Sequence, residues 1–189
     1  MKKALGLLVV LAILGSFSTT FAASVDDEKG HVNIFIGQKA LDNDEWEPMD
    51  SHTEVGIDGD MQLGSLPFNL SYGILASSDE ATGSLFGAPV TLKGKTTELR
   101  LGARKYMDTQ TEAFDWFVGG GLSNTTATVS INGLSATDSA LGFFIELGAK
   151  YQVSNNVYLG SKIDYSIAEV DGLESGGLHY GLVLGYTFN

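Results

Sequence analysis

Eight segments of alternating apolar and polar residues, an N-terminal stretch typical of export, and charges confined to one face predict an all-β fold. We expect an eight-stranded antiparallel up-and-down transmembrane β-barrel with short periplasmic turns and longer extracellular loops. The pattern is clearest in 177–188, where large apolar side chains occupy every second position. They are Leu178, Tyr180, Leu182, Leu184, Tyr186 and Phe188. A period of two is that of a strand with one apolar face.

The N-terminal stretch is predicted to be a signal peptide covering residues 1–22. Lys2 and Lys3 precede a short apolar run, and the small residues Thr20 and Ala22 favour cleavage after Ala22. The run is too short for a spanning helix. We therefore divide the chain into the signal peptide 1–22, a periplasmic lead 23–30 and one barrel domain 31–189.

Composition excludes several classes of protein. Residues 23–189 carry 9 basic and 23 acidic side chains, a net charge of −14. Such a chain repels phosphates, so we expect no nucleic-acid partner. The sequence contains no cysteine, which excludes disulfides and cysteine-linked lipid anchors.

The strands are predicted at eight places along the chain. They are 31–41, 51–63, 67–76, 95–106, 114–131, 134–153, 157–167 and 177–188. Short turns are expected at 64–66 and 154–156, and long polar loops at 42–50, 77–94 and 168–176. This alternation of short and long connections is typical of an outer-membrane barrel.

The predicted outward rows are continuous and apolar. Examples are Val55, Ile57, Met61 and Leu63; Phe68, Leu70, Tyr72 and Ile74; Leu141, Phe143, Ile145, Leu147, Ala149 and Tyr151; and Val157, Leu159, Ile163 and Tyr165. A soluble ligand-binding barrel such as a lipocalin would place its apolar rows inside, with polar residues outside. Aromatic residues expected at the periplasmic interface are Tyr106, Phe114, Trp116, Tyr151, Tyr186 and Phe188.

The dipeptide Asn132-Gly133 is a strong signal for a two-residue type I′ hairpin turn. If it joins the fifth and sixth strands, the opposed pairs include Trp116 with Ala149, Val118 with Leu147, and Leu122 with Phe143. Apolar side chains then meet on one face. The hairpin is longer than a bilayer requires, so we expect 124–138 to project outside as a two-stranded ribbon rather than a flexible loop.

The predicted inward rows carry charge and glycine. The interior charge network is expected to contain Glu54, Asp58, Asp60, Glu98, Arg100, Arg104, Glu146, Lys150, Lys162 and Asp164. Inward glycines leave room for long side chains in a narrow barrel. Two interpretations remain open at this point: a structural core of ion pairs, or a narrow ion path.

Two other candidate sites are weaker. The acidic residues around Trp46 are Asp42, Asp44, Glu45, Glu47 and Asp50, which could bind a divalent cation or remain a solvated loop. Their spacing is not that of an EF-hand, and we expect no cofactor. The histidines are His31, His52 and His179, and the neighbours Asp50, Ser51 and His52 do not establish a catalytic arrangement, so we do not expect an enzyme.

The export signal, eight alternating strands, interior charges and aromatic last strand resemble small outer-membrane barrels of the OmpX/Ail and OmpA transmembrane-domain type. The resemblance implies secretion to the outer membrane, recognition by the barrel-assembly machinery, and contact of the extracellular loops with lipopolysaccharide or an outside protein. The assembly signal of that family ends on an aromatic residue, whereas here Asn189 follows Phe188. We expect a structural or interaction barrel. The alternatives are a narrow porin-like channel and a lipid-modifying enzyme.

Overall fold

The computed structural model describes residues 29–41, 46–85, 88–107 and 113–188, and the predicted signal peptide lies outside these ranges. The described residues form ten strands. They are β1 (Gly30–Leu41), β2 (Ser51–Gln62), β3 (Asn69–Leu85), β4 (Ala88–Met107), β5 (Phe114–Ile131), β6 (Leu134–Gln152), β7 (Val157–Ile167), β8 (Glu169–Val170), β9 (Leu173–Glu174) and β10 (Gly177–Phe188). Among the described residues, no helix is long and apolar enough to cross a membrane.

Eight of these strands close into an antiparallel barrel in the order β1-β10-β7-β6-β5-β4-β3-β2. Every barrel strand therefore pairs on both sides, and the predicted fold class is confirmed. One end, called here the terminal end, holds Gly30, Phe188 and the connections 63–68, 108–113 and 153–156. The opposite, loop end carries the two longest connections, 42–50 and 168–176, together with the two-residue connections 86–87 and 132–133. The strands β8 and β9 form a small hairpin there within the predicted loop 168–176.

The register of β5 and β6 is the predicted one. Trp116 faces Ala149, Val118 faces Leu147 and Leu122 faces Phe143. Asn132 and Gly133 have φ values of 50° and 88°, as a type I′ turn requires. This turn fixes which side chains of both strands face the barrel axis, because a one-residue slip would reverse them.

The prediction of a long loop at 77–94 is wrong. The strands β3 and β4 instead continue through this region and pair as far as Leu85 with Ala88. The segment has few large apolar side chains, so its alternation of apolar and polar residues is too weak to predict two strands. The projecting part is consequently four-stranded, since β4 also pairs with β5 as far as Leu92 with Ile131.

Strand length divides the barrel into two halves. The strands β3 to β6 contain 17, 20, 18 and 19 residues, whereas β1, β2, β7 and β10 contain 12, 12, 11 and 12. The surplus lies at the loop end. We call the part of β3 to β6 nearest the loop end the extension, and it comprises 75–85, 88–98, 125–131 and 134–140. Its first residues on β3, 75–78, still pair with β2.

A lumen filled by ion pairs beneath an apolar cap

The lumen is lined by buried charged side chains on five strands. The buried carboxylates are Glu54, Asp58, Asp60, Glu98, Glu146 and Asp164, and the buried cations are Lys39, Arg100, Arg104 and Lys162. Their strands alternate apolar-out and polar-in, so each charge faces the axis while its sequence neighbours face outward. An unpaired charge in such an interior is costly, and the partners of each side chain therefore decide what the lumen can do.

Arg104 is the centre of the ion pairs nearer the terminal end, which we call the terminal cluster. Its Nε and Nη2 donate to the two oxygens of Glu146 at 2.8 and 2.9 Å. Its Nη1 and Nη2 also reach Asp60 at 3.0 Å and Asp58 at 3.1 Å. The bidentate pair uses the planar guanidinium fork. Lys162 completes the cluster, with Nζ 3.0 Å from Asp58.

Arg100 is the centre of a second group nearer the loop end, which we call the mouth cluster. Its Nη1 lies 2.7 Å from Asp164 and its Nη2 lies 2.7 Å from Glu98. Lys39 approaches the other oxygen of Glu98 at 2.6 Å and also donates to the Ser175 carbonyl at 2.7 Å. Lys162, 3.6 Å from Asp164, joins the two clusters.

Aromatic rings separate and cover these charges. The guanidinium carbon of Arg104 lies 4.5 Å from the centre of the Phe117 ring, and that of Arg100 lies 4.8 Å from Phe144. Lys162 Nζ lies 4.9 Å from the Phe35 ring. Each of these three cations therefore contacts a carboxylate and a ring face, an arrangement that is favourable away from water.

The packing leaves little free space in the lumen. The cavity bordered by Asp58, Arg100, Arg104, Glu146 and Lys162 has a volume of about 10 Å³, enough for about one water molecule. Among the described residues, the space at this level is therefore smaller than a hydrated ion. The arrangement is that of a filled core.

An apolar cap covers the mouth cluster at the loop end. We define it as Leu41, Trp46, Ala127 and Val170, with Val129, Ala140 and Leu173 packed against them. The Trp46 side chain is 1% exposed, and its indole N–H donates to the Glu174 carbonyl at 2.8 Å. Its ring meets His52 edge-on, with centroids 5.5 Å apart. The cap thus ties the connection before β2 to the β8–β9 hairpin.

Ser166, His179 and Glu54 lie in the order of a Ser–His–acid triad. The Ser166 hydroxyl is 2.9 Å from His179 Nε2, and His179 Nδ1 is 2.8 Å from Glu54. Arg100, always a donor, also approaches Nε2 at 3.2 Å, and Ser166 reaches Glu98 at 3.1 Å. The three side chains are buried. They belong to the ion network, because Glu98 also engages the Ser166 hydroxyl and Arg100 also engages His179 Nε2.

The remaining candidate residues lie at the two ends of the barrel. Lys150 lies at the terminal end, 2.9 Å from His31 and 3.7 Å from Asp115. Glu47 and Asp50 are exposed, while Asp42, Asp44 and Glu45 lie outside the described residues. No group of three or more His, Cys, Asp or Glu within the described ranges could hold a metal ion.

One expectation about a single side chain differs from the structure. Tyr106 is predicted among the aromatic residues of the periplasmic interface, but its hydroxyl donates to Asp60 at 2.7 Å inside the barrel, because it stands two residues after the inward Arg104. His52 bonds to Ser77 at 2.9 Å, so its hydroxyl partner is not the neighbouring Ser51. The sequence reasoning also missed Lys39, although the period of two in β1 places it on the inward face.

Comparisons with known proteins agree with this architecture. A family model described as "Outer membrane protein beta-barrel domain" matches residues 9–189. No curated protein matches the chain at a significant level.

Three solved structures illustrate the shared fold. Neisserial surface protein A is 15% identical, with 85% of this chain and 95% of that chain covered and a TM-score of 0.59. Ail of Yersinia pestis, solved with the heparin analogue sucrose octasulfate, is 14% identical, with coverage of 86% and 100% and a TM-score of 0.60. OprG of Pseudomonas aeruginosa is 15% identical, with coverage of 86% and 94% and a TM-score of 0.52. On the match of the family model, the chain belongs to the outer membrane protein β-barrel domain family.

Proposed function

We propose that this chain is an interaction barrel of the outer membrane that acts through its extension, while the ion-paired lumen serves as its structural core. The observation that carries the proposal is a change of chemistry on the outer face of β3 to β6. Ile74, Leu99, Asn124 and Leu141 stand side by side in one row across these four strands. Toward the terminal end the outward side chains are mainly apolar, and toward the loop end they are mainly hydroxyl-bearing or charged.

Three rows of the extension lie beyond this boundary. They are Ala76, Thr97, Thr126 and Ser139; Ser78, Lys95, Thr128 and Thr137; and Glu80, Lys93, Ser130 and Ser135. Such side chains do not suit the hydrocarbon of a bilayer, whereas an apolar band about 25 Å tall does. Seven residues beyond Leu141 correspond to about 23 Å of strand. The extension is therefore positioned to stand outside the membrane.

Two kinds of partner suit this surface. Lys95 is exposed and Lys93 pairs with Glu80 at 3.0 Å. Both face outward beyond the apolar band, toward the headgroup layer, and favour contact with lipopolysaccharide phosphates. The other exposed charges at the loop end are acidic: Glu47, Asp50, Glu80, Asp138, Glu169, Asp171 and Glu174. A polyanion such as the sucrose octasulfate bound by Ail does not suit that surface, so we propose a cationic outside protein as the second partner.

The chain contains no cysteine, which allows a direct test of the extension. We expect Thr137→Cys to be labelled by a membrane-impermeant maleimide on intact cells. Ile145→Cys lies on the same outward face of β6, eight residues farther toward the terminal end, and should be shielded by lipid. Asn155→Cys, in the turn after β6, should be labelled only after the outer membrane is broken.

The controls make the result decisive. All three variants should be labelled in denaturant, which shows that each thiol is present and reactive. Labelling of Asn155→Cys but not Thr137→Cys on intact cells would show that the terminal end faces outside, and would contradict the proposal.

A further inference from the structure

His52 differs from the other two histidines in its partners. His31 and His179 each lie 2.8 Å from a carboxylate oxygen, whereas His52 Nδ1 lies 2.9 Å from the Ser77 hydroxyl. Its Nε2 is buried and has no hydrogen-bond partner within the ranges that the structure describes. The whole side chain is buried. A positive charge on this ring would therefore have neither water nor a hydrogen-bonded carboxylate from those ranges, which is costly.

The apolar cap encloses His52 at the loop end of the barrel. The Trp46 ring meets the His52 ring edge-on, with centroids 5.5 Å apart. Both rings lie against Gly94, where a Cβ would come within 2.9 Å of Trp46 and 3.0 Å of His52 Nε2. The outward neighbour Thr53 pairs with Ser78 of the extension, so His52 lies beyond the apolar band. A change at His52 therefore acts first on Trp46.

A chain of hydrogen bonds joins His52 to the mouth cluster. Ser77 Oγ lies 2.7 Å from Thr96 Oγ1, and Lys39 Nζ donates to the same Thr96 oxygen at 3.2 Å. Because an ammonium only donates, we assign the direction in which Thr96 donates to Ser77 and Ser77 donates to Nδ1 of a neutral His52. A protonated ring donates from both nitrogens. Ser77 would then have to reverse, and the Nε2–H would point into the packed cap.

Charged groups face His52 from three strands, namely Lys39 of β1, Glu54 of β2 and Asp79 of β3, and the connection before β2 adds the Met49 carbonyl. Burial, and then Lys39, lower the pKa of His52 below its ordinary value, against the opposing effects of Asp79, Met49 and Glu54. A ring whose pKa is lowered by the closed cap stabilises that cap while it is neutral, above pH 6.5. This stabilisation is lost as the pH falls from 6.5 through the lowered pKa of the ring.

We propose that His52 is a pH-sensitive switch of the apolar cap: the neutral ring holds Trp46 in place, and the protonated ring releases it. Trp46 joins the connection before β2 to the β8–β9 hairpin through its bond to the Glu174 carbonyl. Its release admits water to the mouth cluster and leaves the ion pairs of Arg104, nearer the terminal end, in place. The inference concerns the cap alone and goes beyond the proposed function.

The two tryptophans of the chain allow a direct test, since Trp116→Phe leaves Trp46 as the only indole. Quenching of its fluorescence by acrylamide, a neutral molecule, is measured on the folded barrel in detergent. The titration runs from about pH 7.5 to about pH 4.5, which spans the ordinary histidine pKa and stays above those of most carboxylates.

We expect quenching to rise at least about threefold on acidification, because a ring that is 1% exposed becomes accessible by local opening. The midpoint should lie below pH 6.5. The far-UV circular dichroism should stay constant, since the barrel strands remain paired, and return to the starting pH should restore the weak quenching.

The decisive variant is His52→Asn in the same background. Its amide oxygen can accept from Ser77 but does not titrate, so quenching should stay weak throughout. The matched control is His31→Asn at the terminal end, which should leave the acid transition unchanged. Gly94→Ala supplies an open-cap reference, because the added Cβ displaces Trp46 and quenching should already be strong at the starting pH.

An acid transition of equal size in His52→Asn would show that carboxylates drive it, and would overturn the inference. Constant quenching of Trp46 in the Trp116→Phe barrel over the whole range would overturn it as well, as would weak quenching of Gly94→Ala at the starting pH. None of these outcomes alters maleimide labelling of Thr137→Cys, so the proposed function is judged separately.

Discussion

Arg104 shows how single residues hold this barrel together. It contacts three carboxylates and one aromatic ring, and its own side chain is 2% exposed. Removing one partner from a buried ion pair leaves the others charged and unpaired, which costs more than the pair itself contributes. The stability of the barrel should therefore depend on Arg104 more than on any surface charge.

We expect Arg104→Met to lower the free energy of unfolding by about 3–5 kcal/mol, because Asp58, Asp60 and Glu146 lose their shared cation. Urea titration of the folded barrel in detergent measures this. The matched control is Lys105→Met, the next residue on the outward face, which should change stability by less than about 1 kcal/mol. Equal effects of the two substitutions would contradict the role of the terminal cluster.

Gly148 shows the importance of close approach within the lumen. It lies directly opposite Phe117, and a Cβ at Gly148 would overlap the Phe117 ring. That ring in turn covers Arg104. Glycine is therefore needed here for space, and the ring position depends on it.

Substituting Gly148→Ala should destabilise the barrel by about 1–3 kcal/mol through overpacking. The control Gly83→Ala should be nearly neutral, since its Cβ would lie 3.7 Å from Val90 and 3.8 Å from Leu92. Phe117→Leu combined with Gly148→Ala should recover part of the loss in the same urea titration. An additive double mutant would argue against a steric origin.

Among the strands, those whose two faces differ most in polarity are predicted best from the sequence. The hairpin of β5 and β6 could be placed to the residue because Asn132-Gly133 fixed the turn and apolar pairs fixed the register. Residues 77–94 offered neither signal. Ser78, Glu80 and Thr82 alternate with Ser77, Asp79 and Ala81, so the two faces differ too little in polarity for the sequence to predict a strand here.

The sequence predicts only part of the candidate site: which charged side chains face inward, but not which of them pair. Alternation along β2, β4, β6 and β7 placed ten charged side chains on inward rows. Partner choice could not be read from the sequence, since it depends on barrel closure: Lys39 and Glu98 are 59 residues apart and Arg104 and Glu146 are 42 apart. The cap likewise joins residues of β1, β5, β6 and the β8–β9 hairpin with Trp46, which are far apart in the sequence.

At the scale of the whole molecule, the lumen and the extension have separate roles. Two linked charge clusters, aromatic rings and the cap fill the barrel, and the surplus length of four neighbouring strands is directed beyond the apolar band. On the proposed function, a barrel built in this way presents a surface to the outside rather than a path through the membrane.

Planar-bilayer recording of the purified barrel tests whether the lumen is closed. We expect no reproducible single-channel steps in the wild-type protein, because the space among Arg100, Arg104 and Lys162 holds about one water molecule. Reproducible steps of constant conductance, absent from protein-free bilayers given the same detergent, would show an open lumen and contradict it.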